Sequence, residues 1–289
     1  MHTLTTEAYA KINLFLDVLD TRADGYHNIK SIMQQVSLCD KVTVTKIDAE
    51  SGITVTCTDP DVPTDERNIV HKCATRFFEH FGITDRGIHI HIEKNIPSCG
   101  GLAGGSTDGA AVLKLLNELY DIHADRETLC EIGVKVGADV PFCVVGGTCI
   151  CEGIGEILTP VKLPSLRYKV LISFPGEGIS TPVAYKALDA LPRPADHATI
   201  EDVLGSIAKG EPPREMYNAF ELAVLPNHDK ARLVKKIMLD SGAVSSMMSG
   251  SGSTIFGLFE DDIALDTAIT SLSSAGFDSH VCAPVPAHN

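Results

Sequence analysis

Positive charge is scarce in this chain. Its 289 residues carry 24 lysines and arginines against 38 aspartates and glutamates, a formal net charge of −14. A field of that sign repels phosphate backbones and anionic lipid, so nucleic acid and membrane surfaces are poor candidates for partners. Long apolar runs are missing too: no uninterrupted stretch reaches bilayer-spanning length. The N-terminal residues to Lys11 show neither an apolar signal core nor a cleavage signature, which leads to the expectation of a cytoplasmic protein. The nine cysteines are odd in number and form no C-x-x-C, so reduced thiols are expected rather than a disulfide framework. Cys149 and Cys151 have no second pair with which to hold zinc. Two familiar phosphate signatures are lacking. No lysine follows the last glycine of a loop as in G-x-x-x-x-G-K-[ST]. No G-x-G-x-x-G opens a helix, which removes the main support for a dinucleotide oxidoreductase.

What is present is an ordinary globular balance, 44% hydrophobic and 21% charged, with material for one large or two modest domains. The most informative segment runs from Lys94 through Pro97, Ser98, Cys99, Gly100, Gly101, Leu102, Ala103, Gly104, Gly105, Ser106 and Thr107 to Asp108. Before it, Ile88, Ile90 and Ile92 alternate with His89, His91 and Glu93, the period of a half-buried strand whose histidines lie on the polar face. After it, Val112, Leu113, Leu115, Leu116 and Leu119 recur at helical spacing, so a helix is expected to open near Ser106 to Asp108. Glycines allow close backbone approach and positive φ, and the first turn of a helix offers unpaired N–H groups. Together they suit a polyphosphate.

Along the rest of the chain, residues 7–19, 36–46, 52–56, 168–174, 254–259 and 280–283 read as strands. Residues 69–81, 127–137, 200–208, 216–225, 230–240 and 263–275 read as helices, with Asn68 as an N-cap candidate. Residues 140–151 are apolar and contain glycine, and are expected to enter a strand. Asp24-Gly25 marks a tight turn, and 192–213 is a polar, proline-bearing excursion. A domain boundary is placed at 158/159.

Several residues could carry chemistry. Lys11 and Asn13 share a strand face opposite Ile12 and Leu14; a solvated lysine is the bland alternative. Asp139, between Gly137-Ala138 and Pro141, either initiates a turn or aims a carboxylate from a rigid bend. Were Asp139 to face Lys11, each would favour the charged form of the other. Such a pair suits removal of a hydroxyl proton during phosphoryl transfer. Tyr26 and His27 offer an aromatic face and an imidazole beside a turn, and Ser249–Ser253 is a second glycine turn.

In order and spacing, Ala10-Lys11-Ile12-Asn13-Leu14, Arg22-Ala23-Asp24-Gly25-Tyr26-His27, the glycine loop, Gly137-Ala138-Asp139-Val140-Pro141-Phe142, Glu152–Glu156 and the Ser249 turn resemble the GHMP small-molecule kinases. The likeness runs from about Ala8 to Phe259. The Arg22–His27 segment resembles the branch acting on a cytidine-diphosphate-linked methylerythritol in non-mevalonate isoprenoid synthesis. The resemblance implies a two-domain α+β fold. A ribosomal-protein-S5-domain-2-like N-terminal domain (1–158) would bind ATP, and a ferredoxin-like C-terminal domain (159–289) would follow. It implies ATP phosphates on Pro97–Thr107, with Asn68 and Lys94 near the adenine. Mg2+ would ride on the phosphates, with Ser106 as a ligand. Asp139 would be the base and Lys11 the cation steadying the acceptor oxygen. Asn13, Tyr26, His27, Thr181 and Tyr185 would hold the cytidylyl substrate. The expected partners are ATP and that small molecule, in a monomer or weak homodimer. Alternatives are another kinase of the fold, acting on homoserine, mevalonate or a sugar, and a silent nucleotide-binding regulator. Four residues depart from the family pattern: Cys99 and Ala103 stand where glycine is common, Met33 where some relatives place an aromatic, and Ala219 where aspartate is frequent.

Overall fold

The computed structural model of the chain describes residues 2–192, 194 and 196–286. Contacts divide it into two compact units. The first comprises the chain up to Ala10, Cys39–Ser98 and Ala103–Gly146; the second comprises Lys11–Leu38, Cys99–Leu102 and the chain from Gly147 onward.

Two long strands, β1 (Thr3–Thr21) and β2 (His27–Lys46), run through both units. In the first unit β3 (Ile53–Cys57) lies parallel to β4 (Ile88–Glu93), and β4 pairs antiparallel with Lys41–Lys46 of β2. The alternation of β4 behaves as read: Ile88, Ile90 and Ile92 are fully buried. On the opposite face His89 and His91 exchange hydrogen bonds of 2.8–3.1 Å with Thr54 and Thr56. Helix α1 (Ile69–Phe81) buries Val70, Cys73, Ala74, Phe77 and Phe78, one stripe at helical spacing. Asn68 caps its start, accepting from the Val70 N–H over 2.9 Å, and Gly82, left-handed at φ 63°, ends it. Helix α2 (Gly104–Leu119) crosses α1 closely. A methyl at Gly109 would come within 2.8 Å of Cys73 Sγ and of Ile69 Cγ2. Helices α3 (Arg126–Val134) and α4 (Val140–Val145) complete the unit.

The second unit contains β5 (Thr148–Glu152), which pairs with Ser31–Gln34 of β2 and with β6 (Ile157–Pro160). It also contains β8 (Tyr217–Asn218), parallel to β1 at Phe15 and Leu16. Four further strands, β7 (Lys169–Ser173), β9 (Ser245–Met248), β10 (Ile255–Phe259) and β11 (His280–Cys282), form a separate antiparallel sheet in the order β11-β7-β10-β9. Numbered by sequence, that order is 4-1-3-2. Helices lie between the first and second strands and between the third and fourth, the ferredoxin-like arrangement. The helices are α5 (Thr181–Asp189), α6 (Ile200–Ile207), α7 (Phe220–Val224), α8 (Asp229–Asp240) and α9 (Asp262–Ser274).

Some elements differ from the sequence reading. The segment 140–151 does enter a strand, β5, but its first part, 140–145, is helical: Pro141 stands at an N-terminal helical position where its missing N–H costs nothing, and Gly146 stops the turn. Residues 216–225 are not one helix, because β1 captures Tyr217 and Asn218 as strand before α7 begins. Strands β6 and β9 and helix α5 lie in segments with short or mixed periodicity and were not expected.

Candidate active site

In the first unit the glycine segment is anchored at both ends by one buried cluster. Asp40, in the second half of β2, accepts from the backbone N–H groups of Asn95 and Ile96 through Oδ1 over 2.6 and 2.8 Å. Its Oδ2 accepts from Lys94 Nζ, which also donates to Asp108 Oδ2 over 2.8 Å. The three side chains are 0–5% exposed. Burial works against the Lys94 charge, but the two carboxylates outweigh it and hold its pKa above the ordinary 10.5. For Asp108 burial wins over the attraction of Lys94, and its carboxyl is pushed up to about 7. Asp108 Oδ1 is buried and, among the described residues, meets no hydrogen-bond partner.

Between these anchors the backbone takes left-handed values at alternate residues: Cys99 (φ 56°), Gly101 (φ 79°) and Ala103 (φ 58°). For the two residues with side chains this is a strained conformation of the kind that concentrates at functional loops. Helix α2 starts directly at Gly104, two residues earlier than the apolar pattern indicated, and among the described residues no side chain caps it. Its first N–H groups therefore lack the carboxylate or hydroxyl that usually covers them, which leaves them suited to an anion. Gly104 and Gly105 are small for packing reasons. A methyl at Gly104 would sit 2.9 Å from Lys94 Nζ, and one at Gly105 would sit 3.1 Å from Ile69 Cδ1. Thr107 Oγ1 donates to the Tyr9 carbonyl over 2.8 Å.

Asp139 belongs to this unit and stands immediately before α4, half-buried, its carbonyl accepting from Cys143 N–H over 3.1 Å. The bend that carries it lies against the start of α2: a methyl at Gly137 would be 3.8 Å from Ser106 Oγ. Asn68 has both ends of its amide engaged, donating to the Pro63 carbonyl over 2.6 Å besides capping α1.

In the second unit the tip of the glycine loop meets the Ser249 turn. Ser249 Oγ donates to the Gly101 carbonyl over 2.9 Å, Thr254 N–H to the Gly100 carbonyl over 3.2 Å, and Lys11 N–H to the Leu102 carbonyl over 3.1 Å. A methyl at Gly101 would lie 2.0 Å from the Ser249 carbonyl oxygen, which explains the glycine. Lys11 is no solvated lysine: it is 4% exposed, and a methyl at Gly250 would be 3.2 Å from its Nζ. Its ammonium donates to Asn13 Oδ1 over 2.7 Å, Asn13 Nδ2 to Ser31 Oγ over 2.9 Å, and Ser31 Oγ to the Phe15 carbonyl over 2.6 Å. Thr181 Oγ1 lies 3.0 Å from Ser251 Oγ, so this candidate joins the same cluster.

The turn from Arg22 to His27 is locked from within. Arg22 N–H donates to the Tyr26 carbonyl over 2.7 Å, its guanidinium reaches both carboxylate oxygens of Asp24, and Asp24 Oδ1 accepts from Tyr26 N–H over 3.1 Å. Tyr26 projects outward, 58% exposed. The His27 ring stacks on Tyr185 with centroids 4.5 Å apart, and Tyr185 meets Phe220 edge-on at 4.8 Å. Met33 is 2% exposed and packs in the core.

Sequence reasoning missed Asp40, Asp108, Ser31 and Asn218, and also Asp189, whose Oδ1 lies 2.9 Å from His27 Nε2. Asn218, beside the Ala219 that departs from the family pattern, is buried and donates to the carbonyls of Met248 and Gly250 over 2.7 and 2.9 Å, so this segment holds the Ser249 turn. Only Asp108 carried a local signal, being a charged residue at the start of an otherwise apolar helix. Among the described residues no cluster of three metal-ligating side chains occurs, and no helix is long and apolar enough to cross a membrane.

Comparison with known proteins identifies the family. Residues 68–147 match the GHMP kinases N terminal domain, and residues 187–278 match the GHMP kinases C terminal domain. A 4-diphosphocytidyl-2-C-methyl-D-erythritol kinase of Clostridium botulinum (strain Alaska E43 / Type E3) is 46% identical over 259 residues, 88% of this chain and 90% of its own. One of Clostridium perfringens (strain ATCC 13124) is 42% identical over 270 residues, 92% of each chain. The crystal structure of a 4-(cytidine 5'-diphospho)-2C-methyl-D-erythritol kinase superposes with a TM-score of 0.79 at 32% identity, covering 97% of this chain and 99% of that one. A homoserine kinase from Cytophaga hutchinsonii superposes at 0.74 with 21% identity, covering 99% and 95%, a likeness of fold.

Proposed function

The chain belongs to the GHMP kinases and, within them, to the 4-diphosphocytidyl-2-C-methyl-D-erythritol kinases. From that membership we propose that it transfers the γ-phosphoryl group of ATP to the 2-hydroxyl of 4-diphosphocytidyl-2-C-methyl-D-erythritol, a step of non-mevalonate isoprenoid precursor synthesis. The observation that carries this reading is the full-length likeness to relatives of that name, and the locked Arg22–His27 turn supports it.

The roles follow from the chemistry of each group. The uncapped start of α2 and the left-handed loop before it receive the phosphates of ATP, whose negative charge the helix dipole favours. Asp139 accepts the hydroxyl proton, and Lys11, steadied by Asn13, stabilises the oxygen that attacks phosphorus. Asn13 and Thr181 contact the alcohol portion, and Tyr26, His27 and Tyr185 hold the cytosine. Asn68 and Lys94 lie toward the adenine end, with Lys94 acting through the shape of the segment it ties rather than as a free cation. Ser106 would be the chain's ligand to Mg2+. A lone hydroxyl fits a hard cation held mainly by phosphate oxygens, where the ion neutralises charge.

Residues 1–158 form the ATP-binding domain in this reading, and 159–289 the C-terminal domain. Nine free cysteines suit a reducing compartment such as the cytoplasm. The protein is proposed to work as a monomer or weak homodimer. A panel assay tests the reading: ATP with the cytidylyl alcohol, homoserine, mevalonate and a hexose. Turnover confined to the cytidylyl alcohol supports it, and preference for another acceptor overturns it.

A further inference from the structure

His27 has its Nε2 2.9 Å from Oδ1 of Asp189, the last residue of α5. Tyr185 lies one turn earlier on the same helix and stacks on the same imidazole. One face of α5 therefore fixes the ring twice: Tyr185 sets its plane and Asp189 takes one edge.

Asp189 gains nothing for its own helix. A carboxylate in the last turn faces the negative end of the helix dipole, an unfavourable place. At 45% side-chain exposure it has little packing role either. Its ionised oxygens only accept, so the proton of a neutral His27 must sit on Nε2. Nδ1 is then an acceptor by default. Within the described residues Nδ1 meets no hydrogen-bond partner.

We propose that Asp189 is a specificity-determining positioning residue: by holding the His27 proton on Nε2 it presents Nδ1 as an acceptor for the exocyclic amine of cytosine. Uracil carries a carbonyl at that position, and two facing acceptors repel. The inference rests on the cytidylyl reading above and adds to it a residue outside the base-contacting set.

The test is steady-state kinetics at saturating ATP with the cytidylyl alcohol and its uridylyl counterpart. The wild-type protein, Asp189→Ala and Asp189→Asn are compared. In parallel, two-bond proton–nitrogen NMR of the full chain reads the His27 tautomer. Asp189→Ala should raise the KM for the cytidylyl alcohol roughly tenfold, the order of one charge-assisted hydrogen bond. Its kcat should change far less, its preference for cytosine over uracil should shrink by a similar factor, and both tautomers should be populated. Asp189→Asn, whose amide oxygen still accepts, should recover most of the preference. An Asp189→Ala protein that keeps the wild-type preference overturns the inference, as does one that loses it with the Nε2 tautomer intact. A wild-type protein indifferent to the base would instead overturn the cytidylyl reading itself.

Discussion

Lys94 and Asp108 meet in the interior of the first unit, Nζ to Oδ2 at 2.8 Å, with Asp40 closing the cluster from β2. One cation thus serves two buried carboxylates at either end of the glycine loop. Lys94→Met should strand both and destabilise the fold by about 3–5 kcal/mol, the usual cost of removing one partner of a buried ion pair. Urea denaturation followed by circular dichroism measures it.

The same cluster makes stability depend on pH. Asp108 is pushed from the ordinary 3.8 up to about 7 by burial, so the folded state keeps a proton that the unfolded state releases. Stability from this group is full below about pH 4 and declines as pH rises towards 7, because the native state binds more protons across that window. Asp108→Asn should remove this component. Thermal melts of both proteins between pH 5 and 8 should show the wild-type protein falling more steeply than the variant.

Gly101 and Ala103 share a left-handed backbone but not a side chain. Gly101→Ala drives a methyl into the Ser249 carbonyl, 2.0 Å away, and should both destabilise the protein and raise the KM for ATP at least tenfold. Ala103→Gly relieves a strained φ of 58° and should be neutral or stabilising by up to about 1 kcal/mol. Melting curves and ATP titrations of the two variants should diverge in these directions.

Much of this was legible in the chain. The alternation of Ile88, Ile90 and Ile92, the Asn68 cap and the apolar repeat of α2 are local patterns, and local geometry obeyed them. The glycine loop was legible because its residues are contiguous. The Asp40 tie, the Asp189 contact and the Asn218 clamp were not. Each joins residues far apart in sequence, and a lone polar residue in a strand or at a helix end gives no sign of what it will meet. The helix at 140–145 was misread because a short apolar run has no period of its own, and Pro141 and Gly146 decide it.

Asn218 supports the Ser249 turn with two donated hydrogen bonds. Asn218→Ala takes these bonds from the buried carbonyls of Met248 and Gly250 and should cost about 1–3 kcal/mol. Because Gly250 lies against Lys11, kcat should fall as well. Parallel denaturation and turnover measurements check both effects.

The assignment of Asp139 as the base that takes the acceptor's proton is tested most directly by single-turnover phosphorylation of the cytidylyl alcohol with Asp139→Asn. The variant should melt like the wild-type protein and bind ATP with similar affinity. Its rate of phosphoryl transfer should fall about 10²–10⁴-fold, the range spanned by general-base catalysis. A folded, ATP-binding variant that transfers phosphate at the wild-type rate would contradict the account.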